Sequence, residues 1–443
     1  QKVYDFQAAD VPPLEPEPHR PPPADIVQSV RVSTIESWED IARWEYTLIK
    51  DQFVPDANLR AKALALTENC ATRAETIRAL AGFVAENIQY KILHGGILGI
   101  KPHKAANVLQ NEWGDCKDKA TLLITMLGEV GIKAYYATLL TRDSGRLLRD
   151  LPSNQCNHAI VYVPQPDCFE RGLWIDGTAQ YYSPETVPWP DQGVQALVFG
   201  EGGRLVFMET PTQEPAENET DFYLAANLSP EGAADVKVHW RSTGQLAPPL
   251  RSHFRPEGKR EEYLASLANQ LLPGSQIGAF RFGDLGDRSR PVEIDFEFHA
   301  PRLAKLEGAQ MVIRPVRQFE LTPRFASRPV RYYDIFLQFR SVASLRETYI
   351  LPDGFQVQSL PEPVVLETPW MAYELRCTQS GREVTLVRTL TAKELSIPKD
   401  RYGEFQTFCH DVDQIERRTI NLRRTEQKPS VVHDPMETGG LEQ

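Results

Sequence analysis

Apolar residues recur at helical spacing from Ser37 onward, where Trp38, Ile41, Trp44 and Leu48 fall on one side of a predicted helix. A second stripe, Ile77, Leu80, Phe83 (or Val84) and Ile88, predicts a helix over 72–88, with Thr72 and Glu75 as a capping box. The third pattern lies in residues 111–134. Ala120, Leu123, Ile124, Leu127 and Val130 form one face, and Leu122 and Met126 widen it. A helix apolar around most of its circumference belongs at the centre of a core. Asp115 stands at its N-cap with Asp118 three residues on, and Gly131 suits its end.

The period then changes to two. Residues 134–141, 157–163 and 172–176 are predicted strands. Helices first and strands afterwards imply α+β rather than a doubly wound parallel sheet. Beyond the polar stretch 210–220, further alternating runs appear. Val292, Ile294, Phe296 and Phe298 share one face, as do Val236, Val238 and Trp240, and Met371, Tyr373, Leu375 and Cys377. LPDG at 351–354 signals a turn. One amphipathic helix, with Tyr263, Leu264, Leu267, Ala268 and Leu271, interrupts this region. The second half reads as a mostly antiparallel β-sandwich.

Other segments punctuate this pattern. Residues 11–23 hold seven prolines and must run extended, as a linker or a strap along a surface. HGGILG at 94–99 is a glycine-rich loop, and no GxxxxGK[ST] follows to make it a phosphate loop. The expected division is 1–30, a strap from the end of an upstream β domain; 31–210, the first domain; 211–424, the β-rich domain; and 425–443, a polar disordered tail.

Composition changes the picture only by exclusion. The net charge of −11 and the lack of a basic block argue against nucleic acid as a partner. No run approaches the ~18 consecutive apolar residues of a transmembrane helix. The six cysteines, Cys70, Cys116, Cys156, Cys168, Cys377 and Cys409, are widely spaced and read neither as a disulfide framework nor as a zinc site. No cofactor or metal is implied.

Cys116 follows Gly114-Asp115 and opens the buried helix. Free N–H groups and the helix dipole favour a thiolate there and can hold an oxyanion. A small core residue at a helix start would look the same. His158 on one predicted strand and Asp176 on the next sharpen the choice, since neighbouring strands would set the carboxylate beside the imidazole. Trp113 and Asn111 are candidates for lining the acyl site or adding an oxyanion donor, against simpler roles as a hydrophobic anchor and a turn residue. Lys117 and Lys119 add positive field or face solvent. His94 and His103 flank the glycine loop, at the cleft border or in solvent. Cys409-His410 is no dyad, because adjacent residues point apart.

WGDCKDKATLL, NHAIVYV and WIDGT resemble the core of the transglutaminase-like superfamily, and the chain is similar to bacterial envelope-type proteins with such a core among β-rich domains. The likeness implies a papain-like fold and a Cys116–His158–Asp176 triad. It further implies thiol-dependent acyl transfer on protein or peptide amides, by transamidation with an amine acceptor or by hydrolysis. The setting implied is the bacterial periplasm or envelope, otherwise the cytoplasm. Cys156 departs from the pattern, standing where an aromatic is expected. Two other readings compete. One is a catalytically silent scaffold whose β domain binds a protein or glycan. The other is regulated proteolysis, with the proline strap occluding the cleft.

Overall fold

The computed structural model describes residues 3–92, 96–164 and 172–425. His94, Cys168, most of the 164–172 connection and the tail beyond 425 lie outside the described residues. The strap has no regular structure before a single turn, α1 (Pro23–Ile26). It is bolted to the second half of the chain. The buried Glu17 carboxylate accepts the backbone N–H groups of Tyr332 and Tyr333 at 2.9 and 3.3 Å and pairs with Arg331 at 3.4 Å.

Helices α2 (Trp38–Ile49), α3 (Ala57–Thr67), α4 (Arg73–Asn87), α5 (Ala105–Asn111) and α6 (Cys116–Glu129) follow. The capping boxes at Thr72 and Asp115 are formed. The inward face of α2 differs from the predicted one: Trp38, Ile41, Ala42, Glu45 and Ile49 are buried, and Trp44 is exposed. Helix α6 is central. Ten of its fourteen residues are buried, Lys117 and Lys119 included. Burying each of Leu122, Leu123, Met126 and Leu127 is worth about 1.5–3 kcal/mol.

Strands β1 (Gln89–Tyr90) and β2 (Trp113–Gly114) make a short parallel pair, with Tyr90 opposite Gly114. Strands β3 (Tyr135–Leu139), β4 (His158–Val163), β5 (Leu173–Ile175), β6 (Gln195–Phe199) and β7 (Leu205–Glu209) form an antiparallel sheet in the order β5-β4-β3-β6-β7. Helix α6 packs against β3 and β4, with α3, α4 and α5 beside it.

The second half is mostly antiparallel β. An eight-stranded sheet runs Gln276–Phe282, Val292–Ala300, Ala234–Ser242, Glu219–Leu228, Ser341–Ile350, Glu383–Ala392, Met371–Ser380 and Val364–Glu367. Its Glu219–Leu228 and Ser341–Ile350 strands pair in parallel, with Phe222 opposite Leu345. A four-stranded sheet that includes Gln310–Ile313 and Ile420–Arg424 shares a core with it, as do helices α7 (Ala247–Phe254) and α8 (Arg260–Leu271). Helices α9 (Leu321–Phe325) and α10 (Tyr402–Ile415) cover Tyr373 and Leu375 in a further core. Among the described residues, no helix is long and apolar enough to cross a membrane.

Candidate active site

The start of α6 is fastened before any chemistry is considered. Asp115 N–H donates to Asp118 Oδ2 at 3.1 Å, and Asp118 N–H donates to Asp115 Oδ1 at 3.4 Å. The fully buried Asp118 also accepts His103 N–H at 2.7 Å and lies 3.2 Å from His103 Nδ1. A Cβ on Gly114 would sit 2.6 Å from Asp118 Cβ. Asp118, rather than an approaching substrate backbone, therefore demands this glycine. These bonds fix Cys116 as the first residue of the helix, where the backbone N–H groups lack intrahelical partners.

Cys116 and His158 line the same cavity, and the thiol is among the groups that act on the imidazole. His158 Nε2 lies 3.3 Å from Asp176 Oδ1. With Nε2 committed there, Nδ1 is the nitrogen left for the thiol. Asp176 follows β5 directly, and its orientation is set by Thr178, whose N–H and hydroxyl both donate to it at 2.8 Å. The β4–β5 pairing, Val161 opposite Ile175, brings imidazole and carboxylate together. Burial opposes charge on His158, yet Asp176, the Cys116 contact and Asp191 together raise it well above the usual imidazole range. Burial likewise opposes charge on Asp176, and His158 with Thr178 holds it below the usual carboxylate range.

Two neighbours carried no signal in the sequence. Tyr90, at the end of β1, lines the same cavity as Cys116, and burial followed by nearby negative charge, that of Cys116 first, raises its phenol. Asp191, in the turn after Trp189, is buried with Oδ2 3.8 Å from His158 Nε2. That oxygen has no hydrogen-bond partner among the described residues, and burial pushes the carboxyl up to about 7. The turn abuts the second half of the chain: Arg142 donates to Gln338 O, and its guanidinium lies 5.6 Å from the Trp189 ring and 5.2 Å from the Phe336 ring. His158, Asp176 and Asp191 offer ligand atoms within 4.8 Å of one another, close enough for a divalent ion. Such an ion would take Nε2 away from Asp176.

Cys116 and His158 open into a cavity of about 300 Å³, lined also by Glu45, Tyr90, Tyr136 and Cys156. Trp113 and Asn111 do not line it. Asn111 ends α5 in solvent, and Trp113 packs edge-on against His103 at 5.7 Å. Lys117 pairs with Asp115, and Lys119 donates to the carbonyls of Ala85 and Ile88 at 3.3 and 2.9 Å, so neither faces solvent. Burial draws the Lys119 ammonium down to about 8. The Cys156 thiol is pushed by burial up to about 12. No strap residue lines the cavity. The strap's contacts include Arg328, Arg331–Tyr333 and Phe336 in the second half of the chain and, through Asp25, Arg146 N–H at 3.0 Å. The expected occlusion of the cleft is therefore not what these residues do.

Residues 60–202 match the family model described as the transglutaminase-like superfamily. That segment belongs to the superfamily. Within the transglutaminase-like core so defined lie Cys116, His158, Asp176 and Asp191. Residues 310–422 match a second family model, a domain of unknown function of known structure (DUF3858). A crystal structure from Parabacteroides distasonis, of a protein proposed to be a protease, is similar in fold at a TM-score of 0.53 and 12% identity. The match covers 88% of this chain and 59% of that one, so the chain spans well under two thirds of that protein. Red sea bream transglutaminase aligns at a TM-score of 0.22 and 10% identity over 81% of this chain and 72% of its own. A comparison with curated proteins returned no match.

Proposed function

We propose that the transglutaminase-like core is a cysteine acyltransferase acting on protein or peptide amides. The supporting observation is the convergence of Cys116 and His158 on one cavity at a helix start, with Asp176 Oδ1 3.3 Å from His158 Nε2. His158 takes the thiol proton, and the thiolate attacks the amide carbonyl carbon. The first-turn N–H groups of α6 face the oxyanion, with the Tyr90 hydroxyl beside them. The imidazolium then protonates the departing amine or ammonia, leaving a thioester on Cys116. Water resolves it as hydrolysis, and an amine resolves it as transamidation. Asp176 keeps the imidazole oriented and supports its charge throughout.

The domain division at 1–30, 31–210 and 211–424 belongs to this reading. It is supported by the first core ending at Phe207 and the second beginning at Phe222. An envelope or periplasmic setting is carried with it, from the likeness in sequence.

The test uses a glutamine-containing peptide with an amine donor, read by intact mass and released ammonia. A thioester adduct on Cys116, absent from a folded Cys116→Ala variant, is the expected result. A thiol-directed acylating probe that labels Cys156 and never Cys116 would overturn the scheme.

A further inference from the structure

Glu45 lies on the inward face of α2 and lines the cavity that holds Cys116 and His158. It is only 8% exposed, and among the described residues no hydrogen bond or ion pair reaches its carboxylate. The cations nearby are already committed: Lys117 to Asp115, and His158 to Asp176. Arg43, two residues away on the same helix, is turned outward to Asp40. The groups that feel the Glu45 charge are Tyr136 and Cys156, and neither supplies a positive partner. Burial pushes the carboxyl up to about 7.

Removing a carboxylate from water without a partner is costly. The other buried glutamates among the described residues are paired. Buried Glu17, Glu347 and Glu416 each meet an arginine. An unpaired buried carboxylate that borders a cavity is a half-site, completed when a ligand brings the opposite charge. The surroundings define that ligand. Trp38, Ile41 and Leu197 give the cavity apolar wall beside Glu45, while the other lining carboxylate, Asp115, is paired with Lys117. Such a wall suits a methylene stem ending in an ammonium. Among the described residues Glu45 belongs to no group of His, Cys, Asp and Glu side chains spaced to hold a metal ion, so an organic cation is the better fit.

We propose that Glu45 is a specificity residue that receives an alkylammonium group, such as a lysine-type side chain, carried by the substrate next to the carbonyl attacked at Cys116. The substrate's identity rests on the acyl-transfer reading. The cation site itself does not.

Two measurements separate these. The first compares site-resolved rates at which Cys116 reacts with cationic aminoethyl methanethiosulfonate and neutral methyl methanethiosulfonate at pH 8, each relative to free cysteine. The wild type is expected to favour the cationic reagent at least tenfold. Glu45→Gln should remove most of that preference, and Glu45→Asp should keep part of it. Equal preference in wild type and Glu45→Gln, or no reaction of Cys116 with either reagent, would overturn the inference. The second compares turnover of lysyl and norleucyl peptide thioesters. A Glu45-dependent lysyl preference supports both readings. Reagent preference without thioester turnover supports the cation site and overturns acyl transfer.

Discussion

Arg388 and Glu45 are both charged side chains withdrawn from water, and their surroundings treat them in opposite ways. Arg388 is 1% exposed and reaches Glu416 at 2.9 Å and Glu347 more closely still. Glu347 also accepts Val316 N–H and the Tyr349 hydroxyl, both at 2.8 Å. Glu416 accepts the Tyr373 hydroxyl at 2.6 Å and Gln318 N–H at 3.1 Å. The network ties three strands of the large sheet to the end of α10 and to the segment before α9. In the core, among the described residues, no hydrogen bond or ion pair reaches Glu45, and Asp191 Oδ2 has no hydrogen-bond partner, only His158 at 3.8 Å. Buried charge paired with opposite charge specifies packing, whereas a buried carboxylate with no cation beside it, at the edge of a cavity, is available to a ligand or a proton.

The largest effect should come from breaking the paired network. Arg388→Ala strands two buried carboxylates and should cost about 3–5 kcal/mol in urea denaturation. Cys116 labelling of the folded protein should not change. If the cost were near zero, the network would not be the structural element argued here.

Glu45 should respond in the opposite sense. Its carboxyl is ordinarily near 4.5 and is raised to about 7 in the fold, so the folded state keeps the proton longer. Stability linked to it is full below about 4.5 and declines as pH rises through 7. Glu45→Gln escapes that decline and should exceed wild type by about 1–3 kcal/mol at pH 8, and by little at pH 4.5. Urea midpoints at the two pH values decide this. A variant less stable than wild type at pH 8 would mean that Glu45 already has a partner.

Asp191→Asn sharpens the contrast at the site. Asp191 helps hold the proton on His158, so its removal lowers the imidazole. The alkaline limb of kcat/KM should move to lower pH, with about a threefold loss at pH 8. An unmoved limb would leave Asp191 without a role there. The smallest effect concerns Cys156. Its thiol, pushed up to about 12, should take up no alkylating reagent at pH 8 while Cys116 does, as peptide mapping would show.

The sequence was most readable where local pattern and local chemistry agree. The capping box at Asp115, the buried face of α6 and strands β3 to β5 are each written in a dozen residues or fewer. Reading α2 by its apolar residues selected Trp44, and so passed over Glu45 one position on. A buried charge breaks the rule by which a buried face is recognised. Helix α3 has only Leu59 and Ala63 buried and so leaves almost no stripe to detect. Tyr90 ends a two-residue strand, and Asp191 sits in VPWPDQG, which reads as a turn. Both reach the site through tertiary packing alone. The parallel pairing of Phe222 with Leu345 spans over 120 residues, a distance at which no local period carries register.

The central claim is that Cys116 and His158 act as one unit. Its most direct test is the rate of iodoacetamide alkylation at Cys116, resolved by peptide mapping at pH 6.5, in wild type and in a folded His158→Ala variant. The account predicts at least a tenfold slower reaction when the imidazole is removed. Equal rates in the two proteins would contradict it.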